Sequence, residues 1–368
     1  MNLSCRIISI DRTPVFMGAS ALSSLDKTIR SLHLGRDGIF ILADANTRRH
    51  CLPLAIEKSA SLGGAGVLEI DGGEDSKTLE TAAKLWKELL AMGAGRQSLL
   101  VNLGGGVVSD LGGFVAAGYK RGIGYINVPT SLMGQCDAAI GGKTAVNIGQ
   151  IKNQVGFFYP SKGTFIFPGF LKTLPAEHIR SGLAEIIKSA LIGNDRLWRR
   201  MISHPVTELL SLPAEDVFWQ EMLTGAVKFK NRVVTQDFRE KKLRKVLNFG
   251  HTIGHALETY SMTGPRLPML HGEAVAAGMI CAAFLSQLKA GLTTSETEAI
   301  KAYISEGFPD LPKDVSSVAD IVKIMGHDKK NRDGQLQFTL ISKPGSAVVN
   351  IPCNQAEIEG ALNYLTAP

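Results

Sequence analysis

Disulfide chemistry is thinly supplied: a chain of 368 residues carries five cysteines. Cys5, Cys51, Cys136, Cys281 and Cys353 are scattered, odd in number and without CxxC spacing. That excludes a disulfide frame or a zinc knuckle and fits the reduced thiols of a cytoplasmic protein. Long hydrophobic runs are also missing. The longest, Ala274 to Leu285, is too short to span a bilayer and reads as a buried helix. The opening MNLSCRIISIDRT has no secretory h-region. No block of Lys or Arg stands out, and a net charge of +6 from 40 basic and 34 acidic residues is mild. Neither nucleic acid nor a membrane is therefore expected as a partner; a small anionic substrate suits the charge. Internal repeats and low-complexity segments are absent.

What is present is an ordinary globular composition, 45% hydrophobic and 20% charged, with length enough for two domains. The first half alternates. Short apolar strands are expected at 38–43, 67–70, 98–103 and 125–128, with helical stretches SKTLETAAKLWKELLAMG and VVSDLGGFVAAGYKR between them. Such alternation predicts a parallel α/β sheet, which binds ligands beyond the carboxyl ends of its strands. From Val128 to Tyr159 the pattern dissolves into a Gly-rich, loop-like stretch dotted with Lys and Asp. Long loops of this kind are commonly functional. Beyond about Pro168 the periodicity is helical, near 182–193, 214–236, 243–260, 271–289, 294–305 and 315–327, before two short strands and a last helix. The expected division is an α/β domain over 1–170 and a mainly α-helical domain over 171–368.

Three strand ends carry candidate cofactor residues. GGGVVSDLGGF, residues 104–114, follows a strand and opens a helix, where free backbone N–H groups and close-approach glycines receive a diphosphate. Ser109 breaks the GxGxxG fingerprint, so a tight structural turn is the plainer alternative. Asp44 and Asn46 end the first strand, where a carboxylate can hold ribose hydroxyls, and Glu74 and Lys77 follow the second. Each alone reads as a cap or surface charge; together they lie on one edge of one sheet. The cations Arg121, Lys143, Lys152, Lys188, Lys230, Arg244, Lys329 and Lys330 are individually unremarkable. Lysines beside Gly or Asn, in GGKTAVN and IKNQVG, are placed to meet an anion.

In LNFGHTIGHALE, His251 and His255 are four apart on one helical face. Thr252 stands where a zinc protease needs Glu, which removes that reading. Arg244, Asn248, His251 and His255, at i, i+4, i+7 and i+11 of the expected helix 243–260, form one continuous polar stripe, either a solvated face or the wall of a wet cleft. Glu185 sits in the apolar GLAEIIKSALI and needs a partner. His271 opens HGEAVAAGM. One carboxylate and two imidazoles, Glu185, His251 and His271, are the ligand set of a catalytic zinc if three helices bring them together. Gly250 and Gly254 suggest close helix packing that helps.

These motifs in this order resemble the 3-dehydroquinate synthase family of sugar-phosphate cyclases, over about Asp44 to Leu340. GGGVVSDLGGF, YKRG, PTSLMGQCDAAIGGKTAVN, KNQVGFF, GLAEIIK, LRKVLNFGHTIGHALE, HGEAVAAGM and DKKNRDG carry the likeness. The resemblance implies a Rossmann-like NAD-binding domain and an α-helical metal-binding domain. It implies an NAD+ site lined by Asp44, Asn46, Glu74, Lys77, Gly105, Gly106, Val107, Asp110, Thr130 and Ser131, the last replacing a more usual Thr. Asp137, Lys143 and Lys152 border both cofactor and substrate. A divalent cation, usually Zn2+ with Co2+ as the alternative, would be held by Glu185, His251 and His271. Asn153, Lys188, Lys230, Arg244, Leu247, Asn248, His255 and Lys329 or Lys330 would line the substrate pocket. Arg121 would reach phosphate across a homodimer interface. The implied reaction takes 3-deoxy-D-arabino-heptulosonate 7-phosphate to 3-dehydroquinate and phosphate. It proceeds by transient oxidation with NAD+, phosphate elimination, re-reduction and intramolecular aldol closure.

Two enzymatic rivals share the architecture; a third reading, a non-catalytic binding or scaffold protein that keeps the fold, is disfavoured by the intact candidate ligands and cations. A cyclase acting on sedoheptulose 7-phosphate has no substrate carboxylate and no need to keep Lys230, Arg244 and Asn248 together, whereas the amino variant of the carboxylated substrate does. A metal-dependent polyol dehydrogenase releases NADH and has no use for so many phosphate-binding lysines. Phe238 and Lys242 depart from the family's preferred acid and glycine, outside the ligand-bearing positions.

Overall fold

A computed structural model describes residues 6–8, 13–32, 34, 38–149, 151–262, 268–312, 318–326 and 336–367. Lys329 and Lys330 lie outside these. The chain divides into two compact units, Met1–Pro175 and Ala176–Pro368.

The first unit is built on strands β1 (Arg6–Ile8), β2 (Val15–Met17), β3 (Ile39–Asp44), β4 (Gly66–Ile70), β5 (Leu99–Gly104), β6 (Gly124–Pro129), β7 (Lys143–Ile148), β8 (Ile151–Phe158) and β9 (Thr164–Ile166). Seven form one sheet in the order β1-β2-β9-β6-β5-β3-β4. From β2 to β4 every pairing is parallel; β1 is antiparallel to β2. Its helices are α1 (Ala21–Ser31), α2 (Ala45–His50), α3 (Leu52–Lys58), α4 (Leu79–Ala91) and α5 (Gly106–Gly118). Side chains alternate across a strand, so the sheet has two apolar faces. Phe40, Leu42, Leu68 and Leu100 meet Leu85, Leu89, Leu111 and Phe114 of α4 and α5. Ile41, Val101, Leu103 and Ile126 meet Leu22, Leu25 and Ile29 of α1 and Ala55 of α3. Helix α5 lies close on the sheet because it carries Gly112: a Cβ there would stand 2.0 Å from the Asn102 side-chain oxygen.

The stretch 128–159 is not a loop. It contains a π-helical turn, Gly134–Ala138, and the antiparallel hairpin β7–β8. Alternation is hidden there for two reasons. Strand β8 is solvent-exposed yet carries Ile151, Val155, Phe157 and Phe158, and a register shift interrupts its pairing with β7.

The second unit holds α6 (Ala176–Gly193), α7 (Asp195–Met201), α8 (Val206–Ser211), α9 (Val217–Gln236), α10 (His251–Ser261), α11 (His271–Lys289), α12 (Thr294–Gly307), α13 (Val318–Gly326), the hairpin β10 (Leu336–Lys343) and β11 (Ser346–Cys353), and α14 (Gln355–Thr366). The apolar run 274–285 lies within α11, the buried helix against which α6, α10, α12 and α14 pack. Among the described residues no helix is long and apolar enough to cross a membrane.

The polar stripe of 244–255 is not one helix. A 3-10 segment, Leu243–Asn248, ends at Phe249 with an extended ψ of 127°, and Gly250 is left-handed at φ 77° before α10 begins. Gly250 serves twice. A side chain would strain that φ, and a Cβ would stand 2.7 Å from the Met279 side chain and 2.9 Å from its backbone N. Arg244 and Asn248 therefore sit on a different element from His251 and His255.

Candidate active site

In the first unit the carboxyl ends of β4, β3, β5 and β6 share one edge, since these strands are neighbours and parallel. Asp44 closes β3 and caps α2, its carboxylate accepting the Thr47 N–H at 2.9 Å; Asn46 is exposed one residue into that helix. Gly105 and Gly106 open α5 directly after β5, leaving first-turn N–H groups at the edge. Thr130 and Ser131 follow β6, the Thr130 N–H donating to the Gly104 carbonyl at 3.0 Å. The most buried charge on this edge is Lys77, 3% exposed. Its Nζ lies 2.6 Å from the Asp110 carboxylate, 3.9 Å from that of Glu74, and donates to the side-chain oxygen of Asn153. A buried ammonium requires such partners. Four of the predicted residues thus form one cluster. Lys152 is next to it in sequence and partly buried, Asp137 lies on the π-helical turn, and Lys143 is exposed at the start of β7. Arg121 is exposed with a left-handed φ of 69°, following Lys120 at 48°. Two such residues in a row are strained, which is commonest where a side chain must be presented for a task.

In the second unit small residues bring three helices together. A Cβ on Gly272 would lie 2.0 Å from the Ser181 carbonyl of α6, and one on Gly254 would lie 2.8 Å from the Ala274 carbonyl of α11. The Ser181 hydroxyl also accepts the Gly272 N–H at 3.0 Å. This packing places Glu185 of α6, His251 of α10 and His271 of α11 side by side. Glu185 Oε1 is 3.6 Å from His251 Nε2 and 3.8 Å from His271 Nε2. Ligands held at about 2.0–2.1 Å around a tetrahedral zinc stand roughly 3.3 Å apart, so the spacing suits one shared cation. The donor chemistry fits as well. Glu185 is 1% exposed; its Oε2 is ion-paired with Lys188, while Oε1, the oxygen facing both imidazoles, accepts no hydrogen bond among the described residues. The His251 Nδ1–H faces the Phe249 carbonyl at 3.1 Å and the His271 Nδ1–H faces the Glu258 carboxylate at 3.1 Å. Both Nε2 lone pairs are thereby turned toward Glu185.

Burial, followed by the charge of Lys188 and the neighbouring imidazoles, holds His251 well below the usual imidazole range, so it is neutral and ready to ligate. Burial also works against charging His271, but the hydrogen bond and charge of Glu258, with Glu185 behind, prevail and raise it. His255 is exposed; its nitrogen and one from each of the other two imidazoles lie within 4.8 Å of one another, a set that three histidines alone would also supply.

Lys188, Lys230 and Arg244 are buried at 1%, 6% and 2% exposure, and each is a cation in a helical interior. Arg244 donates from Nη1 to the Phe238 carbonyl at 2.7 Å. That bond uses the backbone and not the side chain of Phe238. The Asn248 amide donates to Glu240 at 2.8 Å. Glu258 was not singled out from the sequence. Its signal is there: it stands seven residues, two helical turns, after His251, on the same helix face as that ligand.

The family model for the 3-dehydroquinate synthase N-terminal region matches residues 67–181, and that for its C-terminal region matches residues 182–331. The 3-dehydroquinate synthase of Parabacteroides distasonis is 40% identical over 329 residues, covering 89% of this chain and 91% of that one. A 2-deoxy-scyllo-inosose synthase solved with carbaglucose-6-phosphate, NAD+ and Co2+ superposes with a TM-score of 0.82 at 26% identity, covering 98% of this chain and 99% of the other. The 2-epi-5-epi-valiolone synthase of Streptomyces hygroscopicus subsp. jinggangensis 5008, solved with NAD+ and Zn2+, gives 0.78 at 31% identity over 89% and 90%. The fold is that of the sugar-phosphate cyclases, a parallel α/β unit followed by a helical one. Within it, the chain belongs to the 3-dehydroquinate synthase family.

Proposed function

We propose that this chain is a 3-dehydroquinate synthase, a lyase that converts 3-deoxy-D-arabino-heptulosonate 7-phosphate to 3-dehydroquinate and phosphate in the shikimate pathway. The observation that carries the reading is the convergence of the buried Glu185 carboxylate with the Nε2 atoms of His251 and His271 in a chain of this family. In the reading, residues up to about 170 bind the dinucleotide, and the rest hold metal and most of the substrate.

Bound NAD+ supplies reversible hydride acceptance, and a bound divalent cation, Zn2+ or Co2+, lowers the pKa of a substrate hydroxyl and polarises the ketone. The protein's own tasks follow from its side chains. The N–H groups at Gly105 and Gly106 receive the diphosphate, while Asp44 and Glu74 offer carboxylates to ribose hydroxyls. Glu185, His251 and His271 hold the cation, with the Lys188 ammonium balancing the Glu185 charge. Lys152, Asn153 and Arg121 hold the phosphate so that it leaves in alignment. Lys230 and Arg244 take the substrate carboxylate, and His255 serves substrate hydroxyls. We further read the protein as cytoplasmic, supported by Cys51, Cys281 and Cys353 being buried outside any disulfide, and as a homodimer, supported by the exposed apolar side chains of β8.

Other cyclases are the second reading, favoured by the two solved neighbours. The 40% identity to a dehydroquinate synthase and the retained Lys230, Arg244 and Asn248 favour the carboxylated substrate. The test is product identity by carbon NMR. 3-Dehydroquinate from the carboxylated 7-phosphate, with sedoheptulose 7-phosphate left unchanged, supports the reading. A carbocycle from sedoheptulose 7-phosphate alone, or turnover of the amino analogue alone, moves the protein to the other cyclases.

A further inference from the structure

Lys152 and Asn153 sit on a defect in the β7–β8 hairpin. Between the Val146–Val155 and Ile148–Ile151 pairs a single β7 residue, Asn147, faces three on β8, residues 152–154. A bulge re-aims side chains and breaks the ladder, so its N–H groups need other partners. Asn153 is left-handed there, at φ 56°.

Asn147 closes the defect with both ends of its amide. Its Oδ1 accepts the Asn153 backbone N–H at 2.9 Å, and its Nδ2 donates to the Glu74 carboxylate at 2.9 Å. Its own backbone N–H donates to the Lys77 carbonyl at 2.7 Å. The amide orientation is fixed by these partners, since a flip would set oxygen against carboxylate and NH2 against N–H. Asn147 is only 9% exposed. Lys77 completes the ring by donating to Asp110 and to the Asn153 side chain.

We infer that Asn147 is a positioning residue: its carbonyl sets the phosphate-binding bulge, and its amide nitrogen sets Glu74 for the dinucleotide. The inference rests on the roles given to Glu74 and Asn153 in the proposed function. It makes one side chain act on two ligands through two separable bonds.

The test compares the full-length protein with Asn147→Ala and Asn147→Asp. NAD+ affinity is read by calorimetry, KM for the sugar phosphate by phosphate release, and the Asn153 segment by hydrogen exchange. Asn147→Ala cuts both bonds, so the NAD+ Kd and the KM each rise about tenfold, the scale of one hydrogen bond at a desolvated site, and the segment exchanges faster. Asn147→Asp keeps the acceptor for Asn153 but sets a second carboxylate beside Glu74. Its KM returns to within about twofold of the wild type while its NAD+ Kd stays raised. General loosening of the hairpin would not produce that split. The inference is overturned if the two variants shift both constants alike, or if Asn147→Ala leaves both within about twofold of the wild type. If Asn147→Ala does not fold, Asn147→Asp alone decides by the same split. Wild-type protein that releases no phosphate would overturn the synthase reading instead. The Asn147 inference would then be decided by NAD+ affinity and Asn153 exchange.

Discussion

Glu258 and His271 form a part-buried hydrogen-bonded pair: the carboxylate lies 3.1 Å from Nδ1, and the opposite nitrogen is left 3.8 Å from Glu185. An imidazole fixed in this way presents one tautomer to a metal. Replacing Glu258 by Gln keeps the shape and removes the charge. The variant is expected to bind Zn2+ about 10- to 100-fold more weakly, with activity recovered by excess metal. Competition against a chromophoric chelator measures it, and unchanged affinity would remove Glu258 from the site.

Metal ligands and the substrate-facing His255 separate by metal content. Glu185→Gln, His251→Ala and His271→Ala should each be purified with little bound metal, while His255→Ala should retain it and lose turnover. Elemental analysis of the folded proteins decides. Loss of metal from His255→Ala, with retention by Glu185→Gln, would exchange the Glu185 set for the three-histidine set.

Asp237 gives a pH-dependent prediction. Partial burial raises its pKa, but three backbone N–H donors, from Arg244, Lys242 and Lys241, and the Arg244 charge outweigh it, so the net shift is downward. A depressed folded pKa contributes stability above the unfolded value of about 3.9, lost as pH falls through the folded value. Asp237→Asn should therefore cost about 1 kcal/mol near neutrality, and the two proteins should converge in strong acid. Denaturant titrations at several pH values check the sign. A gap that widens on acidification would refute it.

Close helix packing is testable at Gly254. An Ala there puts a methyl 2.8 Å from the Ala274 backbone carbonyl, which cannot rotate away. A loss of about 1–3 kcal/mol is expected, along with weaker metal binding because α10 and α11 are pushed apart. Urea unfolding and metal titration of Gly254→Ala read both.

Much of this was legible in the sequence where local and tertiary signals agree. Strands at 38–43, 67–70, 98–103 and 125–128 are short, mainly apolar runs, as expected of a parallel sheet covered on its faces, and all four appear within a residue or so. The helix 271–289 was bounded by His271 and the apolar run that follows. The hairpin of 143–158 was hidden, because its bulge breaks the period and its exposed strand is apolar. The break at Phe249 and Gly250 was hidden too, since a glycine in the sequence fits close helix packing as well as a left-handed turn, and that turn leaves no periodic mark. Glu185, His251 and His271 were nameable singly. Their convergence depends on how α6, α10 and α11 approach, which spacing along one chain does not encode.

The measurement that bears most directly on the central claim is phosphate release from 3-deoxy-D-arabino-heptulosonate 7-phosphate, with catalytic NAD+ and Zn2+, before and after chelation. The account predicts release that requires both, accumulates no net NADH, and returns when metal is restored. Steady NADH production from simple polyols without phosphate release, or release indifferent to NAD+ and chelator, would contradict it.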